Sequence, residues 1–589
     1  MGEHMEQRRI DRFLVGAVLA FALVAAAGCA APAAPDDATT STDDGTSAAQ
    51  APTAQAPGGA GQPAGRPAAS TAEAGAPAAK PTSPSSVAVA MAPLADVRDA
   101  EDCRLTADGE GELVFDGVTN PAMSCPDAFA WKVMLDSVQA EFWRHWAADT
   151  FTWPQADWPP GDAADDADGP YPLCGPDTPA GARCCAPGSD DNPGYDDARY
   201  PAKHCPYFPD DHDDAADFEA PDLHARAPVV AQHTAFSRPD PGPVTEEGRV
   251  IRQEMSELVF RNRPFWLYTF AHDLYNQEGL AAASKAAGAN LTQDAPYHGA
   301  YDAATLTRIE YPTDAVMIKT NWLNEERARE LGIVNDAEDP YITMDLHSPV
   351  TDNNGTTFQE GRHFLVAFHI STKEIPDWTW ATFEHVDNPG RCDYTGCNDS
   401  FGHRSPDAVA GHLAANFTAP HTRSDDLVES SVIFDAGGLY PGGETSPQLE
   451  AIFRALDMGT EDGGDGMPGA ADRGWLSYRL KGSQVGFTDS MGRPTILGNS
   501  ITEGGFVGSS SCMSCHARAA VDADGEPALG IFEPRLGDVG YALSNSGPPD
   551  PDWYASNSSS AHFLRLIGLQ TDFVWGILFA NPLATTDAP

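Results

Sequence analysis

The residues with the clearest chemical meaning lie near the C-terminal end, in the segment Cys512-Met513-Ser514-Cys515-His516. Two thiols separated by two residues and followed directly by a histidine are typical of c-type haem attachment. The thiols bond the porphyrin vinyl groups, and the histidine binds the iron from one face. Such a match is rare by chance, because the 589 residues include only 11 cysteines and 17 histidines. We expect one covalent haem c, attached to Cys512 and Cys515, with His516 as the proximal iron ligand.

Two other sites use the same cysteine spacing, a thioredoxin-like redox pair and half of a zinc site. A thioredoxin-like pair normally opens a helix after a strand in a βαβ unit. This pair follows Gly508-Ser509-Ser510-Ser511, and no such unit is visible in the sequence around it. Haem attachment is therefore the favoured interpretation.

The sequence leaves several candidates for the ligand on the second face of the iron. Small class I cytochromes use a methionine downstream of the motif, but no methionine follows Met513. This is not expected to be a simple small class I cytochrome. The remaining options are a histidine, with His369 or His385 favoured over His562, or an open iron without a protein ligand.

The N-terminus has the pattern of an export signal. A segment containing Arg8 and Arg12 precedes an apolar run at 13–27, and small residues then lead to Cys29. The run would make about 22 Å of helix, too short to cross a bilayer. We predict a lipoprotein signal peptide at 1–28 with lipidation at Cys29; an ordinary cleaved signal peptide is the alternative.

The rest of the chain divides into three parts by composition. Residues 29–93 are rich in Ala and Pro and have few large apolar side chains, which predicts a disordered tether. Residues 94–245 are expected to be a Cys-rich, acidic N-terminal part of the folded body. Residues 246–589 are expected to be the main body, with haem attachment at 512–516.

The charge balance limits the possible partners. With 86 acidic and 36 basic residues the formal net charge is −50, and no basic run is present. Nucleic-acid binding depends on clustered Lys and Arg, so we expect no such partner. The acidic stretches at 162–168 and 210–217 are interpreted as solvated loops, with binding of divalent cations as an alternative.

Eight cysteines remain once Cys29, Cys512 and Cys515 are set aside, and an even number in an oxidising compartment suggests up to four disulfides. We expect the pairs Cys103–Cys125 and Cys392–Cys397. The other cysteines would cross-link an acidic loop region or, as an alternative, bind zinc together with His204; they are Cys174, Cys184, Cys185 and Cys205.

Residue periodicity predicts a mixed α+β body. Helices are expected at 127–147 and over 246–280, with an interruption at Pro264. Strands are expected at 315–319 and 363–370, and in a further run that contains Trp378 and Trp380. In that run the two tryptophans occupy every second position, and His385 belongs to the other set of alternating positions. On this prediction His369 and His385 both point inward from neighbouring strands.

Several segments resemble landmarks of a family of large bacterial cytochrome c family proteins. They are Asp273–Gly279, Val316–Trp322, Trp380–Asn388, Gly498–Ser500 leading into Ser510–His516, and Thr571–Trp575. The resemblance covers roughly residues 250 to 580. It implies a secreted protein with one haem, and it brings no agreed substrate.

The leading functional hypothesis is a membrane-tethered electron-transfer protein, exported to the cell envelope. Its partners would be redox proteins or a small-molecule redox substrate. A haem oxidoreductase is the first alternative, and a haem-based sensor with an open iron is the second. A dihaem peroxidase is disfavoured, because 512–516 is the only attachment motif.

Overall fold

The computed structural model describes residues 103–148, 153, 171–187, 204–209, 255–290, 308–330, 332–346, 350–351, 357–358, 361–388, 390–392, 395–402, 417–418, 443–463, 467–503, 507, 510–530, 547–557, 564–580 and 582–583. The signal segment 1–28, the tether 29–93 with Cys29, the two acidic stretches and His562 lie outside these residues.

The secondary structure mixes short helices with strands. The helices are α1 (Pro121–Ser124), α2 (Pro126–Gln139), α3 (Phe142–His145), α4 (Arg263–Ala271), α5 (Gln277–Asn290), α6 (Glu325–Glu330), α7 (Pro447–Ala455) and α8 (Cys512–Ala517). Short 3-10 turns cover Arg473–Ser477, Pro551–Trp553 and Gly576–Phe579. In the part of the chain that is described, no helix combines the length and apolarity needed to cross a bilayer.

The strands fall into one large sheet and several two-stranded pairs. They are β1 (Leu105–Ala107), β2 (Leu113–Phe115), β3 (Ala147–Ala148), β4 (Met255–Arg261), β5 (Val316–Asn324), β6 (Thr343–Leu346), β7 (Val350–Thr351), β8 (Thr357–Phe358), β9 (Gly361–Thr372), β10 (Thr379–His385), β11 (Cys397–Asn398), β12 (Phe417–Thr418), β13 (Tyr478–Gln484), β14 (Ala520–Val521), β15 (Ala555–Asn557), β16 (Leu564–Leu566) and β17 (Leu569–Gln570).

The large sheet has seven strands in the order β13-β10-β9-β5-β4-β3, with β6 also paired to β9. Each of these pairings is antiparallel. The expected α+β class is confirmed at this level. The predicted strands at 315–319 and 363–370 are confirmed as β5 and β9.

Apolar layers cover both faces of the sheet, which explains why β9 is apolar for most of its length. One face packs against α2, where the buried ring of Trp131 meets Phe383 edge to face at 5.0 Å between centroids. The other face packs against a second apolar cluster that includes Met317, Trp380 and Met513. The segment Cys512–His516 therefore lies on the face opposite α2.

The expected helix over 246–280 is wrong in its first part, because 255–261 is strand β4. Its alternate residues Leu258 and Phe260 face the α2 side, as expected of a strand, and the segment pairs with β5 along its whole length. Pro264 lies in the first turn of α4 and so begins that helix instead of interrupting it. The helix expected at 127–147 is present as α2 and α3.

All eight expected disulfide cysteines are paired. The structure contains Cys103–Cys125 and Cys392–Cys397, as predicted. The remaining four form two cross-links, Cys174–Cys184 and Cys185–Cys205. The zinc alternative is therefore wrong, because these sulfurs are bonded to one another, and the His204 ring stacks on Tyr171 at 4.5 Å.

Candidate functional site

The motif forms the short helix α8, which begins immediately after Ser511. The Ser511 side chain accepts a hydrogen bond from the Ser514 amide at 3.3 Å, which satisfies one of the free N–H groups at the start of the helix. Gln484, at the end of β13, accepts from the Met513 amide at 3.0 Å and donates to Ser511 Oγ at 2.8 Å. One sheet residue thus fixes the start of α8 on the sheet.

The thiols of Cys512 and Cys515 lie one helical turn apart, at the i, i+3 spacing that places two side chains on one face of a helix. They are the described cysteines that form no disulfide. Cys512 is buried, and burial raises the pKa of its thiol well above the usual value. The thiol lies 3.5 Å from the Leu497 carbonyl.

His516 is held by a hydrogen bond to the backbone. Its Nδ1 lies 2.8 Å from the carbonyl oxygen of Phe573, so Nδ1 carries the proton and donates. The other ring nitrogen, Nε2, then has a free lone pair for a metal. Burial lowers the pKa of His516 to about 3, which keeps the ring neutral at physiological pH. The Trp380 ring packs against it at 4.3 Å between centroids.

The donor set fits a covalent haem. Two thiols one turn apart that form no disulfide, together with a neutral histidine of fixed tautomer, are the groups that thioether formation and iron ligation need. Within the described ranges, no three side chains of His, Cys, Asp or Glu lie close enough together to bind a metal ion without a cofactor.

The C-terminal segment runs along α8 and binds its carbonyl groups. Trp575 Nε1 donates to the Cys515 carbonyl at 3.1 Å, and Gln570 Nε2 donates to the Ala517 carbonyl at 3.0 Å. The amide of Thr571 donates to the Ala519 carbonyl at 2.9 Å. The Phe573 carbonyl that holds His516 is therefore part of a fixed contact surface.

His369 lies on the same face of the sheet as the motif. In the strand register it is flanked by Lys319 on β5 and Thr382 on β10, and Thr382 lies two residues from Trp380 on the same face. His369 is also close enough to His516 to contribute to lowering the pKa of that residue, after the larger effect of burial. Burial lowers the pKa of His369 itself to about 3.

The ring of His369 is engaged by Asn499, which sequence reasoning did not select as a site residue. Asn499 Nδ2 lies 2.9 Å from His369 Nε2 and 3.1 Å from Thr382 Oγ1. Asn499 Oδ1 accepts from the amides of Ile501 and Thr502. This orients the amide, so Nδ2 must donate to the histidine. A carboxylate oxygen of Glu503 lies 3.6 Å from the same nitrogen.

His385 lies on the opposite face of the sheet. It follows Thr382 by three residues, and an odd separation along a strand reverses the face. Its ring stacks on Tyr341 at 3.4 Å, and its Nδ1 accepts from the Asp387 amide at 3.2 Å. The prediction that His369 and His385 point to one interior is wrong, because the pairing register places His369 opposite Thr382.

Paired charges line the motif face next to His369. Lys319 Nζ lies 3.3 Å from Glu257, and Lys481 Nζ lies 3.5 Å from Glu384. Both carboxylate oxygens of Glu384 also accept hydrogen bonds from Ser500. Buried charges are tolerated when they are paired in this way. This side of the site is polar, whereas the side around Trp380 is apolar.

Neither the Phe573 carbonyl nor the side chain of Gln484 has a direct signature in the sequence. A backbone oxygen is independent of residue type, and a lone glutamine at the end of a strand has no motif. Asn499 and Phe573 do fall within segments noted for their resemblance to the cytochrome c family, 498–500 and 571–575. That resemblance was the one available pointer to them.

In comparisons with known proteins, no protein-family model, no curated protein and no solved structure matches this chain.

Proposed function

We propose that this chain is an exported c-type cytochrome that carries one covalent haem on Cys512, Cys515 and His516 and transfers electrons. The observation that carries the proposal is the geometry of α8, in which two thiols outside any disulfide lie one turn apart beside a histidine whose Nδ1 is hydrogen-bonded to the Phe573 carbonyl. The resemblance of five segments to large bacterial cytochrome c family proteins supports it.

The protein residues have distinct roles in this proposal. A bound haem supplies one-electron exchange at its iron. The Phe573 carbonyl fixes the tautomer of His516 and increases the basicity of Nε2, which favours the ferric state. Trp380 packs against the His516 ring and is almost fully buried, so it would keep water away from this side of the ring. A dry, fixed environment reduces the rearrangement that accompanies a change of charge.

On the second face of the iron, we propose His369 as the ligand. It is the candidate histidine on the motif face within the described residues, since His385 lies on the opposite face and His562 is outside the described ranges. Its ring is neutral, as iron binding requires. To bind iron it must release the hydrogen bond from Asn499.

A haem oxidoreductase or sensor with an open iron is the second candidate, and one contact favours it. Asn499 Nδ2 already donates to His369 Nε2, the atom whose lone pair would bind the iron. If that bond persists, the iron is free to take a peroxide, an oxygenated nitrogen species or another small molecule.

Optical spectra separate the two candidates. The purified protein should be recorded oxidised and reduced, with and without carbon monoxide. The electron carrier predicts a six-coordinate iron whose reduced spectrum does not change when carbon monoxide is added. The open-iron candidate predicts a five-coordinate spectrum and ready binding of carbon monoxide. A purified protein without any haem spectrum would contradict both.

We further propose that the protein is anchored to a membrane by a lipid on Cys29 and held at a distance by the tether 29–93. The variant Cys29→Ser should move from the membrane fraction to the soluble exported fraction, because in this proposal the lipid on Cys29 is what anchors the protein. Fractionation followed by immunoblotting measures this. A wild-type protein that is already soluble, with its N-terminus elsewhere, would contradict lipidation and support the ordinary signal peptide.

A further inference from the structure

A buried ion pair stabilises the backbone turn that supplies the carbonyl for His516. Lys373 Nζ lies 2.6 Å from Asp572 Oδ1, and the two side chains are 5% and 7% exposed. Lys373 comes directly after β9, and Asp572 directly precedes Phe573 in the chain. The pair thus connects the end of a central strand to the segment that contacts the motif.

The turn at Asp572 and Phe573 has an unfavourable backbone conformation. Their φ angles are 49° and 68°, in the left-handed region. This region costs about 1–2 kcal/mol for most L-residues; aspartate tolerates it better, but an aromatic residue such as Phe573 seldom adopts it. The conformation persists only where surrounding contacts determine it. It is also the conformation in which the Phe573 carbonyl meets His516 Nδ1.

Two sets of contacts hold the turn. The Val574 amide closes it by donating to the Thr571 carbonyl at 3.0 Å, and further hydrogen bonds fix the Asp572 carboxylate. Oδ1 accepts from Lys373, and Oδ2 accepts from the Tyr311 amide at 2.7 Å. Lys373 Nζ also donates to the Pro376 carbonyl at 2.6 Å, so the ammonium group has a fixed position of its own. The carboxylate is therefore held from two sides, by the Lys373 ammonium group and by the Tyr311 amide.

We propose that Lys373 and Asp572 are positioning residues for the proximal histidine. They hold the Phe573 carbonyl where it binds His516 Nδ1–H, and so they act on the iron through the ligand. This inference rests on the proposed function, because it assigns His516 to the iron. Outer hydrogen-bond partners of metal-bound histidines are known to tune the metal in this way.

The test is the rate at which the Nδ1 proton of His516 exchanges with water. It is followed by NMR in the reduced, low-spin protein labelled with ¹⁵N-histidine, with carbon monoxide added if the iron is open. In Lys373→Met the unpaired Asp572 loosens the turn, and we expect exchange at least about tenfold faster, equivalent to about 1.4 kcal/mol. The signal of the Nδ1–H group should also shift, since its acceptor is lost.

A double variant, Lys373→Met with Asp572→Asn, removes both charges and so avoids a buried unpaired carboxylate that can prevent folding. Asparagine tolerates the left-handed backbone and still accepts from the Tyr311 amide. We expect fast exchange here too. If the pair served only to balance charge, the double variant would exchange at the wild-type rate, and the proposal would be overturned.

Asp399→Asn is the matched control, since Asp399 is a buried carboxylate that accepts a hydrogen bond from Trp131 Nε1 of α2, on the face of the sheet opposite the motif. It should leave His516 exchange unchanged, and equal acceleration in this control would mean general loosening and would overturn the proposal. Haem staining of the denatured band is recorded for each variant. Its absence from the wild type would refute the proposed function itself, whereas retained staining with unchanged exchange would refute only the positioning role.

Discussion

Replacing Cys512 and Cys515 together by alanine is expected to remove all haem staining from the denatured protein band. Staining that survives denaturation requires a covalent bond, and in the proposed function the two thioethers are the only covalent links to the porphyrin. Both thiols lie one turn apart on α8 and form no disulfide, whereas the other described cysteines are paired in disulfides and cannot take their place. The measurement is peroxidase-type staining of a denaturing gel beside an immunoblot for the protein.

The double variant Cys392→Ala with Cys397→Ala is a matched control, because it also removes two buried cysteines. Those residues form a disulfide remote in sequence from the motif. Removing it should lower stability by about 2–5 kcal/mol and leave the staining of the remaining protein intact. Staining that persists without Cys512 and Cys515 would refute the haem assignment.

Replacing His369 by alanine is expected to change the iron spectrum from six-coordinate to five-coordinate and to allow carbon monoxide to bind. The physical reason is that His369 is the candidate histidine on the motif face of the sheet, with a neutral ring. Optical spectra of the oxidised and reduced variant, with and without carbon monoxide, measure the change. A wild-type protein that is already five-coordinate would contradict ligation by His369 and favour the open-iron candidate.

His385→Ala is the matched control for the distal ligand. The residue is also a buried histidine of the same sheet, but its ring stacks on Tyr341 on the other face. We expect it to lower stability, because a packed ring is lost, and to leave the iron spectrum unchanged. A change of coordination in this control would contradict the face assignment.

Asn499→Ala gives a second check on the same question. The substitution removes the hydrogen bond that occupies His369 Nε2 and leaves the histidine in place. If the wild-type iron proves open because Asn499 holds that nitrogen, the variant should free His369 for the iron and bind carbon monoxide more weakly than the wild type. Equal binding would mean that the amide does not control ligation.

A methionine ligand is not expected. A thioether bound to ferric haem gives a weak band near the red edge of the visible spectrum, and this band should be absent. No methionine follows Met513, so such a band would require an upstream residue, and Met317 lies in the apolar cluster beside the motif. Loss of the band in Met317→Leu would then identify it.

The sequence by itself determined the features that depend on local pattern. The Cys-x-x-Cys-His motif, from which we propose haem attachment, is read from five consecutive residues. Strands β5 and β9 are read from apolar runs, and the Cys103–Cys125 and Cys392–Cys397 pairs involve cysteines that are near neighbours in the sequence. Each of these is determined within a short stretch of chain.

Only the tertiary structure decided which residues meet the motif. The face on which His369 or His385 lies depends on strand pairing, and one residue of register would exchange the two faces. Strand β4 was mistaken for a helix, since its partner β5 lies about sixty residues away and pairing, not local propensity, makes it extended. The Phe573 carbonyl is a backbone atom with no sequence signature. Its position depends on a left-handed turn held by Lys373, 199 residues away in the chain, because only folding brings that ammonium group to Asp572.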